Sequence, residues 1–474
     1  MRIPLLPVGL YAVLLLAAAA SIAKPAFAED DAADVHAIHE ALLDFASPED
    51  TFRRTQAVLA HFGVAEQADP QTQLDALSGL QSSSNMRALL KYFDPGNEFS
   101  KYTSFSSEEV RFYQDRQGHS VSDFSASLRD PAVKPATSEL ESRLIAAQSN
   151  PPARPLLGLR IALDPGHMGG SQWDGITGKW VRDTQSGRYL SEGVLNLQTA
   201  LLLEASLTRL GARVMVTRHD LVPVTSQGYD DFDLQAGALR ALRESTLLGW
   251  FQELLSVNPI GAALFDSFSR SPSFQEVFSD INRWTYYNDL DLQARVDAIE
   301  AFHPDITLII HYDTSTSTAD PHGLQPGPAG TADATKVYVP GAFDPTELAS
   351  RDDRAQFAMH LLDQSAWDAS VSFARAVATT LSVNLNIPFA KSSPGLTRVV
   401  EPGIFSRDLY LLKKYQGSAT AYVECLFYND PGEFDALYSA THPMTIAGQN
   451  MPYSDRLALV ADSLKQAIVK FVQP

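Results

Sequence analysis

LRIALDPGHMGG, residues 159–170, decides the fold of this chain. Leu159, Ile161 and Leu163 mark a buried strand, and the run stops at Asp164-Pro165-Gly166, where proline fixes one dihedral and glycine relaxes the next. His167 follows the turn directly, so an imidazole is presented at the carboxyl end of a core strand. In α/β sheets that edge is where ligands bind.

Further strands are expected at 213–217, 306–311, 336–339 and 419–424, with helices between them at 193–210, 290–302, 367–383 and, briefly, 408–415. The alternation predicts an α/β, three-layer domain around a mostly parallel sheet over residues 157–474. Two excursions interrupt it. Residues 222–289 read as a helical insertion (pieces at 234–255, 262–269 and 274–282), a length usual for a lid or inserted subdomain. Residues 341–364 carry Arg351-Asp352-Asp353-Arg354, a run that reads as a solvated face.

Upstream, residues 29–156 are expected to form a helical N-terminal region without strand pairs, from apolar spacing at 35–45, 51–62, 86–93 and 108–113. The proline-rich stretch NPPARP, residues 150–155, closes it as a linker. Residues 1–28 have the layout of a secretory signal peptide: Arg2, an apolar run over 10–20, and Ala26-Phe27-Ala28 as the cleavage site. The run is too short and badly flanked for a membrane span, so no span is expected after cleavage. The net charge of −19 becomes about −21 without that segment, which argues against nucleic acid as a partner. Cys425 is the single cysteine, so no intramolecular disulfide forms. Export without disulfides fits a protein of the bacterial periplasm or cell envelope, and Cys425 itself reads as a small buried residue.

Four side chains stand at strand ends or helix starts. His167 ends the first strand, Glu192 opens the next helix behind Ser191 as a possible N-cap, His311 ends ITLIIHYD, and Glu424 ends ATAYVEC. If the strands are parallel, all four lie along one sheet edge. Two imidazoles, a carboxylate and an open position make a catalytic zinc site, and Glu424 is then free to act as general base.

With these residues in view, the chain resembles the zinc-dependent N-acetylmuramoyl-L-alanine amidases of the cell-wall type. The resemblance rests on Asp164-Pro165-Gly166-His167-Met168-Gly169-Gly170 after the first strand, Glu192 at the helix start and Val214 to Arg218 (VMVTR). It continues through LQARVDAIEAFHPDITLIIHYD ending at His311, and Val423-Glu424-Cys425-Leu426-Phe427-Tyr428-Asn429. It implies His167, Glu192 and His311 as Zn2+ ligands, Glu424 as catalytic acid/base, and hydrolysis of the amide joining N-acetylmuramic acid to L-alanine in peptidoglycan. The chain departs from the family pattern in the inserted Met168, in a long stretch between His167 and Glu192, and in Asp313 where asparagine is usual. Asp174 and Asp183 are the fallback carboxylates.

Two rival readings stay open: a zinc carboxypeptidase or other peptide amidohydrolase, and a non-catalytic peptidoglycan-binding regulatory protein. The 222–289 insertion falls where some family members carry a site-blocking helix, which makes it a candidate target for a protein activator. If its apolar face docks over the metal, an acid such as Glu253 or Asp266 would occupy the open position; packing on the sheet far from the site is the alternative.

Overall fold

The computed structural model describes residues 70–114, 122–133, 137–169, 179–183, 185–226, 286–314, 324–326, 333–344 and 351–474, together with positions 228 and 348. The expected signal peptide, the helices expected at 35–45 and 51–62, and Asp174 lie outside them, as do Glu253, Asp266 and nearly all of the 222–289 insertion. Residues 68–226 and 291–474 form one compact unit. Residues 1–67 and 227–290 cluster as a second, of which the structure describes position 228 and the segment from Tyr286 to Leu290.

The first unit is built on a seven-stranded sheet. In chain order its strands are β1 (Arg160–Pro165), β2 (Arg213–Val216), β3 (Ile306–Asp313), β4 (Lys336–Pro340), β5 (Thr397–Glu401), β6 (Ile404–Arg407) and β7 (Ala419–Phe427), arranged β5-β6-β4-β7-β3-β1-β2. Strands β7, β3, β1 and β2 are mutually parallel. β4 runs antiparallel to β7 and parallel to β6, and β5 closes the edge as a hairpin with β6. The domain is thus α/β with a mostly parallel sheet, as its alternating pattern predicts.

The near-continuous apolar runs of β3 and β7 follow from burial on both faces. Leu308 and Ile310 face one core, with residues of helices α1 (Glu192–Arg209), α3 (Gln364–Leu385) and α4 (Asp455–Val472). Ile309 faces the other, with Val296 and Ile299 of α2 (Leu292–Phe302). Cys425 is fully buried, and burial pushes its thiol well above the ordinary range, which leaves it a packing residue.

Two expectations are corrected. Residues 108–113 are not helical: Glu109–Tyr113 is the middle strand of a three-stranded antiparallel sheet with Thr103–Phe105 and Ser122–Ser127. Val110 and Phe112 alternate inward and meet Ala126 and Phe124 across the ladder, so pairing partners outside the segment override a short pattern that fits either period. The run at 351–354 is not a solvated face either. It opens a helix (Arg351–Leu362) in which Arg354 and Asp353 are buried, Arg354 pairing with Asp123 at 2.6 Å and Asp353 with Lys413 at 3.2 Å.

Candidate metal centre

The turn after β1 places His167 with φ of 55°, a left-handed conformation that few non-glycine residues adopt. Three side chains fix that turn. Arg295, fully buried on α2, donates to Asp164 Oδ1 (3.0 Å), Asp291 Oδ2 (2.8 Å), the Pro165 carbonyl (2.7 Å) and the His167 carbonyl (3.1 Å). Arg218 donates to the carbonyls of Pro165, Gly166 and Gly193, and Asn196 of α1 donates to the Gly166 carbonyl at 2.8 Å. The strand end, the turn and the start of α1 are thereby tied into one rigid piece.

Glu192 is the first residue of α1 and 1 % exposed. Ser191 takes the N-cap position, but its hydroxyl makes no capping bond. A hairpin of Trp180–Arg182 with Tyr189–Ser191 sets the entry instead, and the Glu192 amide donates to the Lys179 carbonyl at 2.8 Å. Part of the long stretch between His167 and Glu192 is therefore this hairpin. Glu192 Oε1 lies 2.8 Å from His311 Nδ1 and 3.5 Å from His167 Nε2, and it accepts from the Tyr312 amide. The two imidazoles meet edge to face at 4.8 Å.

One donor atom from each of His167, Glu192 and His311 lies within 4.8 Å of the other two, the one such cluster among the described residues. This set fits a zinc ion in its chemistry: two imidazoles and a carboxylate leave a fourth position open. Glu192 Oε2 is buried without a hydrogen-bond partner, as expected of a ligand atom. Burial, then His311 and the nearby Lys179, Arg295 and Arg218 cations, holds His167 well below the ordinary imidazole range, so its ring is neutral and its lone pair available near pH 7. Asp183 is not in this cluster. It is engaged within its own turn by Gln185 and Arg188.

Glu424 stands on β7 level with His311 on β3. Tyr422, two residues earlier and therefore on the same face, stacks on the His311 ring at 4.3 Å and 13°. Glu424 is buried and its Oε2 has no hydrogen-bond partner. Burial, then Asp313 and Glu192, raises its pKa well above the ordinary carboxylate range, against the opposing pull of Lys336 and Lys179. Asp313 forms an ion pair with Lys336, which lies opposite Glu424 on β4.

No family model and no curated protein matches this sequence. Among solved structures, the chain is similar to the N-acetylmuramyl-L-alanine amidase Ami1 from Mycobacterium smegmatis (15 % identity, 67 % of this chain and 98 % of that one, TM-score 0.36). It is also similar to the amidase AmiC2 of Nostoc punctiforme (13 %, 67 % and 98 %, TM-score 0.32). A third is the CwlD amidase from Clostridioides difficile, solved in complex with the GerS lipoprotein (12 %, 66 % and 98 %, TM-score 0.35).

All four residues singled out from sequence therefore reach one sheet edge, three as a cluster and Glu424 beside it. Sequence reasoning missed the supporting shell: Arg295, Asn196, Lys336 and Tyr422. A signal existed for Arg295, an arginine beside Val296 and Ile299 on the inward face of α2. Gly166 carries a prediction. A β-carbon there would stand 1.9 Å from His311 Nε2, so Gly166→Ala must displace the ring or the turn. Zinc affinity in a chelator competition is expected to fall by about 10–100-fold or more, since even outer-shell changes cost that much.

Proposed function

We propose that this protein is a zinc-dependent hydrolase of the amide between N-acetylmuramic acid and L-alanine in peptidoglycan. The observation that carries the reading is the buried trio His167, Glu192 and His311 with Glu424 level beside it. The motif order along the chain supports the substrate. His167 Nε2, Glu192 and His311 Nδ1 would hold the zinc, which supplies Lewis acidity toward an amide carbonyl and toward water. Glu192 accepts from the Tyr312 amide, and Arg295 and Arg218 lock the His167 turn, so the ligand set is preorganised. Glu424 takes the proton of the attacking water and returns it to the amine that leaves. The buried setting of Glu424 favours that exchange because it disfavours the charged form and makes proton uptake easy.

The reading places the protein in the bacterial envelope, reached by export, and in wall remodelling or daughter-cell separation. It also makes the 222–289 insertion the place where a protein activator would act. No helix among the described residues is long and apolar enough to cross a membrane.

Mass-spectrometric analysis of peptidoglycan digested with the zinc-loaded protein tests the reading. The expected products are free stem peptides with L-alanine at the amino terminus, lost on chelation and regained on adding zinc. Loss of a terminal residue would replace the assignment by a carboxypeptidase, and no product from an exposed, zinc-bearing site would replace it by a binding role.

A further inference from the structure

Arg407 differs from three buried or half-buried arginines around the sheet: Arg295 pairs with Asp164 and Asp291, Arg354 with Asp123 and Arg456 with Glu433. Arg407 has no carboxylate partner among the described residues, in a chain of net charge −19. Among the described residues its side chain makes one hydrogen bond, from Nη1 to the Tyr338 hydroxyl (3.2 Å); its Nε is buried without a partner, and its guanidinium lies 5.0 Å above the Tyr338 ring.

The position relates this cation to the metal centre. Arg407 of β6 is level with Pro340 of β4, so its side chain shares a face with Tyr338, and Tyr338 is level with Tyr422 on β7. The Tyr338 and Tyr422 rings are 5.7 Å apart, and Tyr422 stacks on His311. A continuous row therefore runs from the candidate zinc ligand through two tyrosines to an arginine that pairs with no carboxylate among the described residues. Arg407 is also near enough to Lys179, itself 4.0 Å from Glu192, for the two cations to oppose one another. The row spans at most roughly 15 Å, the reach of about four residues of extended peptide.

We infer that Arg407 is a specificity residue that binds a carboxylate of the substrate peptide. The inference rests on the amidase reading above. Once the muramyl lactyl group is tied up as an amide, the acidic groups of the substrate lie on the peptide side, in the glutamate and diamino-acid residues beyond L-alanine. Tyr338 itself lies fully buried, so the peptide runs from His311 over the half-buried Tyr422 toward the half-buried Arg407 on β6, and the glycan leaves on the other side. A guanidinium already held over an aromatic ring and bonded to its hydroxyl presents its remaining N–H groups to a carboxylate with little loss of freedom.

The test compares two muramyl-tripeptide substrates, one with free side carboxylates and one with those groups amidated, using the full-length protein and Arg407→Gln and Arg407→Lys. The wild type is expected to favour the acidic substrate by about tenfold or more in kcat/KM, through KM, as suits a charge-assisted hydrogen bond. Arg407→Gln brings that ratio near one, and Arg407→Lys falls between. A ratio unchanged by Arg407→Gln overturns the assignment. Calorimetry with the free acidic and amidated tripeptides, in which no bond is cleaved, separates the two readings. Selective binding of the acidic peptide that Arg407→Gln abolishes upholds the subsite even if neither muramyl substrate is hydrolysed, a result that would sink the amidase reading alone. Equal binding of both peptides by the wild type overturns the subsite.

Discussion

Glu424→Gln is expected to lower kcat for amide hydrolysis by about 10²–10⁴-fold, the contribution usual for a general acid–base, and to leave the zinc stoichiometry at one per chain. The substitution keeps the shape of the side chain and removes only its capacity to gain and lose a proton. Its neighbours make the readout specific. His311, level with it on β3, keeps its contacts with Glu192 and Tyr422, so the candidate metal cluster is expected to stay intact. The pH profile adds a second readout. A carboxyl with a raised pKa holds its proton to higher pH, so the base form fills in, and the wild-type rate rises, only as pH climbs through that raised value. A bound cation pulls the value back down. In the glutamine variant this acid limb disappears. Loss of zinc together with activity would instead make Glu424 a ligand, and unchanged turnover would remove it from the reaction.

The candidate site was legible in the sequence to a degree that its surroundings were not, and the reason is physical. His167, His311 and Glu424 each follow a long apolar run, and a run of that kind in a parallel sheet ends at the ligand-binding edge whatever the neighbours are. Glu192 stands at a helix start, a position that sequence also marks. The β5–β6 hairpin was missed although Glu401-Pro402-Gly403 supplies a turn signal and Gly403 has φ of 75°. Its edge strand exposes Val399 (61 %), so burial does not impose a regular alternation there. The reversed direction of β4 was equally hidden, because strand periodicity is blind to orientation. Lys336 owes its place opposite Glu424 to that reversal, and Arg407 its place beside Tyr338 to the hairpin that follows. The parts of the site that depend on chain direction are thus the parts a sequence pattern does not carry.

Arg295→Met destabilises the protein by about 3–5 kcal/mol, the cost of breaking a buried ion pair from one side, a large share of the 5–15 kcal/mol typical of a domain. The variant fills the same volume but strands two buried carboxylates, Asp164 and Asp291, neither of which reaches solvent. It also removes the donors to the Pro165 and His167 carbonyls, so the left-handed turn that aims His167 loses its main restraint. Urea unfolding reads the stability, and zinc affinity of the folded fraction reads the turn. Adding Asp291→Asn to the variant separates the contributions. The second change neutralises one stranded charge yet keeps an acceptor for the Val224 and Thr225 amides. It is expected to recover part of the stability and none of the zinc affinity, because the charge is a folding problem and the missing carbonyl bonds are a site problem. Recovery of both together would mean that the stranded Asp291 charge, and not the loss of the bonds Arg295 makes to the carbonyls, disturbs the turn.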